Sequence, residues 1–217
     1  MAYFERAGRG YRPRQLATGP WSDQVVGGGP IAALLAHALE QQLPDKDCRL
    51  SRLTVDLLRS APNDELEVDV QPVRIGQRVQ IMQAWVACGG AQYARATGVF
   101  CRAAVDCPAH LPEASLIQPA SPATLPTSRR DGAPSYASSM EVKSITYPDG
   151  GDLGVVWIRF PHDLLPDVPL SPVSRTALTG DAVSGFAFMT RAGVTAVNND
   201  VTLYSPSTDR RVAVCPS

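Results

Sequence analysis

The sequence lacks the features that mark nucleic-acid-binding, membrane-spanning and secreted proteins. Its 20 Lys and Arg nearly balance 21 Asp and Glu, so the net charge is −1 and there is no basic stripe to attract nucleic acid or an anionic membrane surface. The longest apolar stretch, Ile31 to Leu39, is far shorter than the roughly 20 residues of a membrane-spanning helix. Because the first ten residues carry no apolar signal core, we expect a cytoplasmic protein.

Several common catalytic and metal-binding motifs are missing too. The five cysteines are odd in number and have no CxxC or CxxH spacing, so we expect reduced, mostly buried thiols. The chain has no Gly-x-Ser-x-Gly elbow, no phosphate-binding loop and no constellation of metal ligands. We therefore predict neither a metal ion nor another cofactor.

The strongest positive feature is an apolar helix that opens on three consecutive glycines at 27–29. Pro30 suits the first helical turn, and the Ala- and Leu-rich run after it favours a helix that ends at Leu43. Up to Leu39 this helix is apolar on nearly every side, so we expect it to be buried, with His37 as a hydrogen-bonded core residue. The glycines allow another backbone or a ligand to come close.

Four strand-like runs follow the helix and predict an antiparallel sheet. Residues 51–59 and 65–70 alternate apolar and polar side chains, which indicates one buried and one exposed face. Residues 78–88 carry Val79, Ile81 and Trp85 at period two, and a Gly89-Gly90 turn joins them to a hairpin partner at 92–102. The first predicted unit, residues 1–103, is therefore a helix wrapped by its own sheet.

The same pattern recurs after a linker. Residues 104–135 are rich in Pro, Ala, Ser and Thr, which predicts an extended connection. In residues 136–217, two strand-like segments precede a helix that Ser171 caps and Pro172 opens. Asp181 shares one face of this helix with Ala177 and Ala182, so a carboxylate lies on an apolar stripe.

The second unit has two strands after its helix where the first unit has four. We therefore expect it to be incomplete, with a sheet edge that another chain or a returning segment covers. The expected assembly is a homodimer or larger, with an interface in residues 194–215 that includes Val197, Val201 and Leu203. The alternative is that residues 1–10 or the linker fold back over the gap within one chain.

Seven segments lie in a characteristic order along the chain: Gly19-Pro20-Trp21, Val26-Gly27-Gly28-Gly29-Pro30, residues 53–59, residues 156–159, Leu170-Ser171-Pro172, Gly180-Asp181 and residues 200–204. Together with the order of elements, they resemble the double-hotdog acyl-CoA thioesterase II family, whose members are called TesB-like. The resemblance covers most of the chain and implies an α+β fold of two hotdog units side by side, with continuous or nearly continuous antiparallel sheets, each wrapping a central helix.

For function, the resemblance implies hydrolysis of a fatty acyl-CoA, an acyl-carrier thioester or a related compound of lipid metabolism. Asp181 matches the carboxylate that orients and deprotonates the attacking water. The family's catalytic threonine precedes an Asp-x-Ser/Thr-x-aromatic run by two residues, and anchoring that run on Asp200 puts Asn198 in its place. Asn198 is thus a candidate to orient the water through its side-chain amide, but an asparagine at a strand bend or in a structural hydrogen bond is the commoner case.

The predicted substrate-binding residues lie in the first unit. The backbone amides of Gly28 and Gly29, at the start of the first helix, are candidates to stabilise the oxyanion of a thioester undergoing attack. Trp21 and Gly27 complete this set. The glutamine of the family's site falls on a strand that this sequence does not supply.

Two other functions stay open at this point. A noncatalytic acyl-binding or scaffold protein would keep the fold without the catalytic groups, as the asparagine at position 198 suggests. A tailoring enzyme would act on a carrier-bound acyl or polyketide intermediate. A hotdog dehydratase is disfavoured, because Arg159 stands where those enzymes have their histidine.

Overall fold

The structure is a computed structural model that describes residues 1–19, 22–102, 134–145, 155–187, 189–190, 193–194 and 199–204. Its described residues include two α-helices and eleven strands. The helices are α1 (Gly28–Gln42) and α2 (Pro172–Ala187). Strands of the first half are β1 (Phe4–Ala7), β2 (Gly10–Pro13), β3 (Cys48–Leu57), β4 (Glu67–Ile75), β5 (Val79–Cys88) and β6 (Ala91–Arg102). Those of the second half are β7 (Glu141–Ile145), β8 (Val155–Arg159), β9 (Met189–Thr190), β10 (Gly193–Val194) and β11 (Asp200–Tyr204).

An antiparallel sheet joins the two halves. Among the described strands its order is β11-β3-β6-β5-β4, so β11 of the second half pairs directly with β3 of the first. In that pair, Val201 lies opposite Val55. The continuity of sheet between the halves therefore agrees with the sequence-based expectation.

Helix α1 lies buried against this sheet, as its composition predicts. Residues 29–39 are all buried, and the backbone turns to an extended conformation at Leu43, directly before Pro44. One expectation about this helix is wrong. The Nε2 atom of buried His37 has no hydrogen-bond partner among the described residues.

Strand β5 shows what period-two alternation leaves undecided. The strand and its Gly89-Gly90 turn are confirmed, with φ of +56° and +78° at the two glycines, which L-residues with side chains rarely adopt. However, the residues of β5 that are buried towards α1 are the alternate ones: Gln80, Met82, Ala84 and Val86. The apolar residues Val79, Ile81 and Trp85 lie half-buried on the outer face.

Helix α2 packs antiparallel to α1. Ser171 caps α2 as predicted, since its Oγ accepts the Ser174 N–H at 3.0 Å. The Ser174 hydroxyl donates to the Ala33 carbonyl in the middle of α1 at 3.2 Å. The stripe of α2 that includes Ala177, Leu178 and Ala182 is buried.

Val201 and Leu203, which were expected at an interface with another chain, contact α2 of the same chain. A Cβ atom built on Gly180 of α2 would lie 2.8 Å from Val201 Cγ1 and 3.3 Å from Leu203 Cδ2, so both side chains of β11 pack on α2. Val201 is only 5% exposed. The expectation that it contributes to an intermolecular interface is therefore wrong, while Val197 lies outside the described residues.

The N-terminal segment also reaches the second half. β1 and β2 form a hairpin, and at its start the backbone N–H groups of Tyr3 and Phe4 donate to the carbonyls of Asp163 and Leu164 at 3.0 and 2.9 Å. The described cysteines Cys48, Cys88 and Cys101 are free thiols. Neither described α-helix has both the length and the apolar character to cross a membrane. The predicted linker falls almost entirely outside the described residues.

Candidate functional site

The start of α1 meets the middle of α2 at Asp181. The backbone N–H of Gly29 donates to Asp181 Oδ2 at 2.8 Å, across 152 positions of sequence. The carboxylate is half-buried. Because the first amides of a helix have no partner within the helix and carry partial positive charge, this position stabilises a negative group.

The glycines at the start of α1 make room for this contact. A Cβ atom on Gly28 would lie 2.8 Å from Asp181 Oδ1 and 2.7 Å from Leu57 Cδ1, closer than nonbonded atoms approach. One carboxylate oxygen thus accepts the Gly29 amide while the other lies against Gly28. A side chain at position 28 would push the carboxylate or Leu57 away.

Tyr136 closes the other side of the same turn. Its hydroxyl donates to the Leu178 carbonyl of α2 at 2.6 Å, and a Cβ atom on Gly29 would overlap that hydroxyl. Burial, followed by the negative charge of Asp181, raises the pKa of Tyr136 well above its usual 10, so the hydroxyl stays protonated and remains a donor.

Sequence reasoning missed Tyr136. It lies just after the Pro-rich linker, in a Pro-Ser-Tyr-Ala run that spans the predicted boundary between the linker and the second unit. A large aromatic residue in a segment otherwise made of Pro, Ser and Ala was the available signal, because such a residue tends to anchor an irregular segment on the core.

A surface depression of about 430 Å³ lies next to this contact. Leu57 lines the depression and its Cδ1 also lies beside Gly28, against which the Asp181 carboxylate packs. The residues around the depression are Asp56, Leu57, Leu58, Arg95, Asn199 and Asp200.

Charged groups line the rim of this depression. Asp56 and Asp200 lie opposite each other in the β3–β11 pair, and Arg95 Nε binds Asp56 Oδ2 at 2.7 Å. Two like charges at directly opposed positions of a sheet repel, and the neighbouring guanidinium offsets that repulsion. Among the described residues, no three His, Cys, Asp or Glu side chains cluster as metal ligands would.

The structure brings part of the predicted site together. Asp181, Gly28 and Gly29 meet at one point, and Gly27 comes directly before them as the N-cap of α1. Of the two amides expected to bind an oxyanion, the Gly29 amide is engaged by Asp181. Trp21 and Asn198 lie outside the described residues.

Comparison with known proteins agrees with this architecture. Residues 17–101 match the family model described as the acyl-CoA thioesterase N-terminal domain. No curated protein sequence matches the chain significantly.

Solved structures show the same fold. A hotdog-fold protein of unknown function from Alicyclobacillus acidocaldarius is 20% identical with a TM-score of 0.67, over 93% of this chain and 75% of that one. A tesB protein from Mycobacterium avium subspecies paratuberculosis is 20% identical with a TM-score of 0.62, over 93% and 76%. An acyl-CoA thioesterase II from Mycobacterium marinum is 18% identical with a TM-score of 0.57, over 87% and 69%.

Both comparisons confirm the resemblance found in the sequence. The structural likeness at this level of identity establishes the α+β hotdog fold, and the family match covers the glycine-opened helix and the four strands after it. Residues 17–101 therefore match the acyl-CoA thioesterase N-terminal domain family, and the chain is built on a hotdog fold.

Proposed function

We propose that this protein hydrolyses an acyl thioester, carried on coenzyme A or on an acyl-carrier protein, with Asp181 as the general base. The observation that carries the proposal is the contact between the Asp181 carboxylate and the glycine start of α1. The glycine start lies within residues 17–101, the segment that matches the family. The Asp181 carboxylate provides a base, and the positive N-terminal end of α1 beside it provides a site that stabilises an anion.

The reaction would proceed by attack of water on the thioester carbonyl. Asp181 would take a proton from the water while the water oxygen bonds to the carbonyl carbon. The tetrahedral oxyanion would then expel the thiolate. The proton would pass from Asp181 to the thiolate, which leaves free acid and free thiol. A carboxylate offers about four acceptor positions, so the Gly29 bond leaves capacity to hold a water.

The remaining predicted residues belong to the same proposal. Asn198 would orient the water through its side-chain amide, and the Gly28 amide would face the oxyanion, with Trp21 and Gly27 on the substrate side. Leu57 would form the wall between the acyl group and the surface depression. Asn198→Ala should lower kcat if the amide acts on the water.

A noncatalytic acyl-binding protein is the second candidate, and one contact favours it. The Gly29–Asp181 hydrogen bond by itself explains the carboxylate as a cap for α1, which stabilises the helix without any reaction. The hydrolase and the acyl-binding protein predict different rates of thiol release for a variant that keeps the hydrogen-bond acceptor at position 181 and removes the base.

The deciding experiment measures thiol release from short, medium and long acyl-CoAs and from one acyl-carrier substrate. Asp181→Asn keeps an oxygen that can accept the Gly29 amide but removes the base, so kcat should fall by about a hundredfold or more. Asp69→Asn, the same change at an exposed carboxylate of β4, should leave kcat unchanged.

Thermal unfolding of Asp181→Ala separates the two roles. Loss of the cap should cost about 1 kcal/mol in Asp181→Ala and less in Asp181→Asn. No thiol release by the wild type from any substrate, or full activity in Asp181→Asn, would overturn the hydrolase and leave the capping role.

We also propose a homodimer, with residues 1–103 and 136–217 as the two hotdog units of each chain. An assembly through β11 would use outward side chains such as Tyr204, which is 77% exposed, since Val201 packs inward. Light scattering at several concentrations tests this, and a monomer at every concentration would contradict it.

A further inference from the structure

Tyr136 fills the space between the first turn of α1 and the second turn of α2. Its side chain is only 4% exposed. The hydroxyl donates to the Leu178 carbonyl at 2.6 Å, the backbone N–H donates to the Thr18 carbonyl at 2.9 Å, and the ring stacks on Phe160 with planes 8° apart. The residue is therefore fixed at its backbone, its ring and its hydroxyl.

The hydroxyl of Tyr136 contacts both helices at the level of the Gly29–Asp181 hydrogen bond. Leu178 precedes Asp181 by three positions, so the two lie on neighbouring turns of the same face of α2. On the side of α1, the hydroxyl lies where a Cβ atom of Gly29 would be. One side chain thus sets the distance between the turn that carries the carboxylate and the turn that carries the amide.

We propose that Tyr136 is a positioning residue, which holds α2 at the height where Asp181 faces the glycine start of α1. The kinetic consequence of this inference rests on the hydrolytic function proposed above. The structural consequence, the distance between Asp181 and the Gly29 amide, does not depend on any activity.

The size of the expected effect follows from how steeply catalysis depends on geometry. A displacement of about 1 Å in a reacting group can cost on the order of a hundredfold in rate. The Leu178 carbonyl lies within α2 and keeps its place in the helix ladder, so the loss of one hydroxyl should move the turn by less than that. We expect kcat to fall by about tenfold, with KM nearly unchanged.

Tyr136→Phe is the test variant, because it keeps the ring that stacks on Phe160 and removes only the hydroxyl. Tyr3→Phe is its matched control. Tyr3 is also a fully buried tyrosine with a hydrogen-bonded hydroxyl, but its hydroxyl partner is the Ser139 side chain at 2.8 Å, not a carbonyl of α2. Each variant loses one buried hydroxyl. If the Tyr136 hydroxyl only stabilises the fold, the two variants should change to a similar extent.

Two readouts are measured on each variant. The first is kcat and KM for thiol release, and the second is the amide ¹H–¹⁵N resonance of Gly29, which reports its hydrogen bond to the carboxylate. We expect Tyr136→Phe to lower kcat and to shift the Gly29 resonance, and Tyr3→Phe to do neither. Equal loss of kcat in the two variants, or an unshifted Gly29 resonance in Tyr136→Phe, would overturn the proposal.

Failure of the hydrolytic function has a different result. If the wild type releases no thiol from any substrate, hydrolysis is refuted and the Gly29 resonance alone decides the role of Tyr136. Should Tyr136→Phe not fold, Gly27→Ala replaces it, since its Cβ would lie 3.1 Å from Tyr136 Cδ1 and push on the ring. That variant should shift the Gly29 resonance in the same way, and an unchanged resonance would reject the proposal.

Discussion

Ser171 donates its hydroxyl to Glu40 Oε2 at 2.6 Å and so joins the start of α2 to the end of α1. At the opposite end of the antiparallel pair, Gly29 donates its amide to Asp181 at 2.8 Å. Asp181 lies at the first amides of α1, where negative charge is stabilised, while Glu40 accepts a hydrogen bond from the residue that caps α2. Polar contacts at both ends thus fix how far one helix can slide along the other.

Glu40→Gln should stabilise the protein at neutral pH. Burial raises the pKa of Glu40 above its usual 4.5, and the hydrogen bond from Ser171 opposes that rise only in part, so the folded state disfavours the ionised form. The cost is absent below pH 4.5, where the group is protonated in both states, and appears as the pH rises through the folded pKa.

Chemical unfolding of wild type and Glu40→Gln at pH 7 and pH 4 measures this effect. We expect the variant to gain on the order of 1 kcal/mol at pH 7, a rise of roughly 2 to 4 °C in Tm, and to gain nothing at pH 4. The exposed-strand variant Glu67→Gln is the control. A variant less stable than wild type at pH 7 would show that the charged hydrogen bond to Ser171 outweighs the burial of the charge.

His37 should make the protein sensitive to mild acid. Burial, and then the charge of Arg6, lowers the pKa of His37 below its usual 6.5, so the folded protein favours the neutral ring. The stability that this provides is complete above pH 6.5 and is lost as the pH falls through the folded pKa.

The measurement is the free energy of unfolding between pH 7.5 and pH 5. His37→Met removes the titrating ring at an apolar position, so it should lose less stability over this range than wild type does. Arg6→Gln, which removes the second cause of the shift, should give an intermediate slope. The same slope in wild type and His37→Met would contradict the assignment.

Leu57→Ala should change substrate selection. Truncation of this side chain would open the depression towards the Asp181 carboxylate, because Leu57 lines the depression and lies beside Gly28, against which the carboxylate packs. We expect the ratio of kcat/KM for bulky over small acyl groups to rise by about tenfold, the lower end of what one methylene of pocket space contributes.

The neighbouring Leu58→Ala is the matched control for this change. Leu58 also lines the depression, but it is 49% exposed at the rim, so its truncation should leave the ratio within about twofold. Equal changes in the two variants would mean that Leu57 does not separate the acyl group from the surface.

Much of the fold could be predicted from local patterns. The Ala- and Leu-rich run fixes α1 because helix propensity and burial agree over its whole length, and Ser171-Pro172 fixes the start of α2 because the cap is a local interaction. The strands β5 and β6 follow from alternation and from two glycines that accept positive φ.

The candidate site was predicted only in part, because its residues meet across distant parts of the chain. Asp181 was identifiable as a carboxylate on an apolar stripe, and Gly28 and Gly29 as a place of close approach, but no local pattern indicates that they touch each other. Tyr136 has no periodic context at all, and its role depends on two helices that approach it from distant parts of the chain.

The sequence by itself determined the helices α1 and α2 and the strands β3 to β6, since capping, turn geometry and alternation act over a few residues. No local pattern predicted the β1–β2 hairpin. Only the tertiary structure decided which face of β5 is buried, that Val201 packs inward on α2, and that Asp181 accepts the amide of Gly29. These outcomes depend on which surfaces meet after the chain folds. A contact across 152 positions is set by packing of the whole core, which no local pattern encodes.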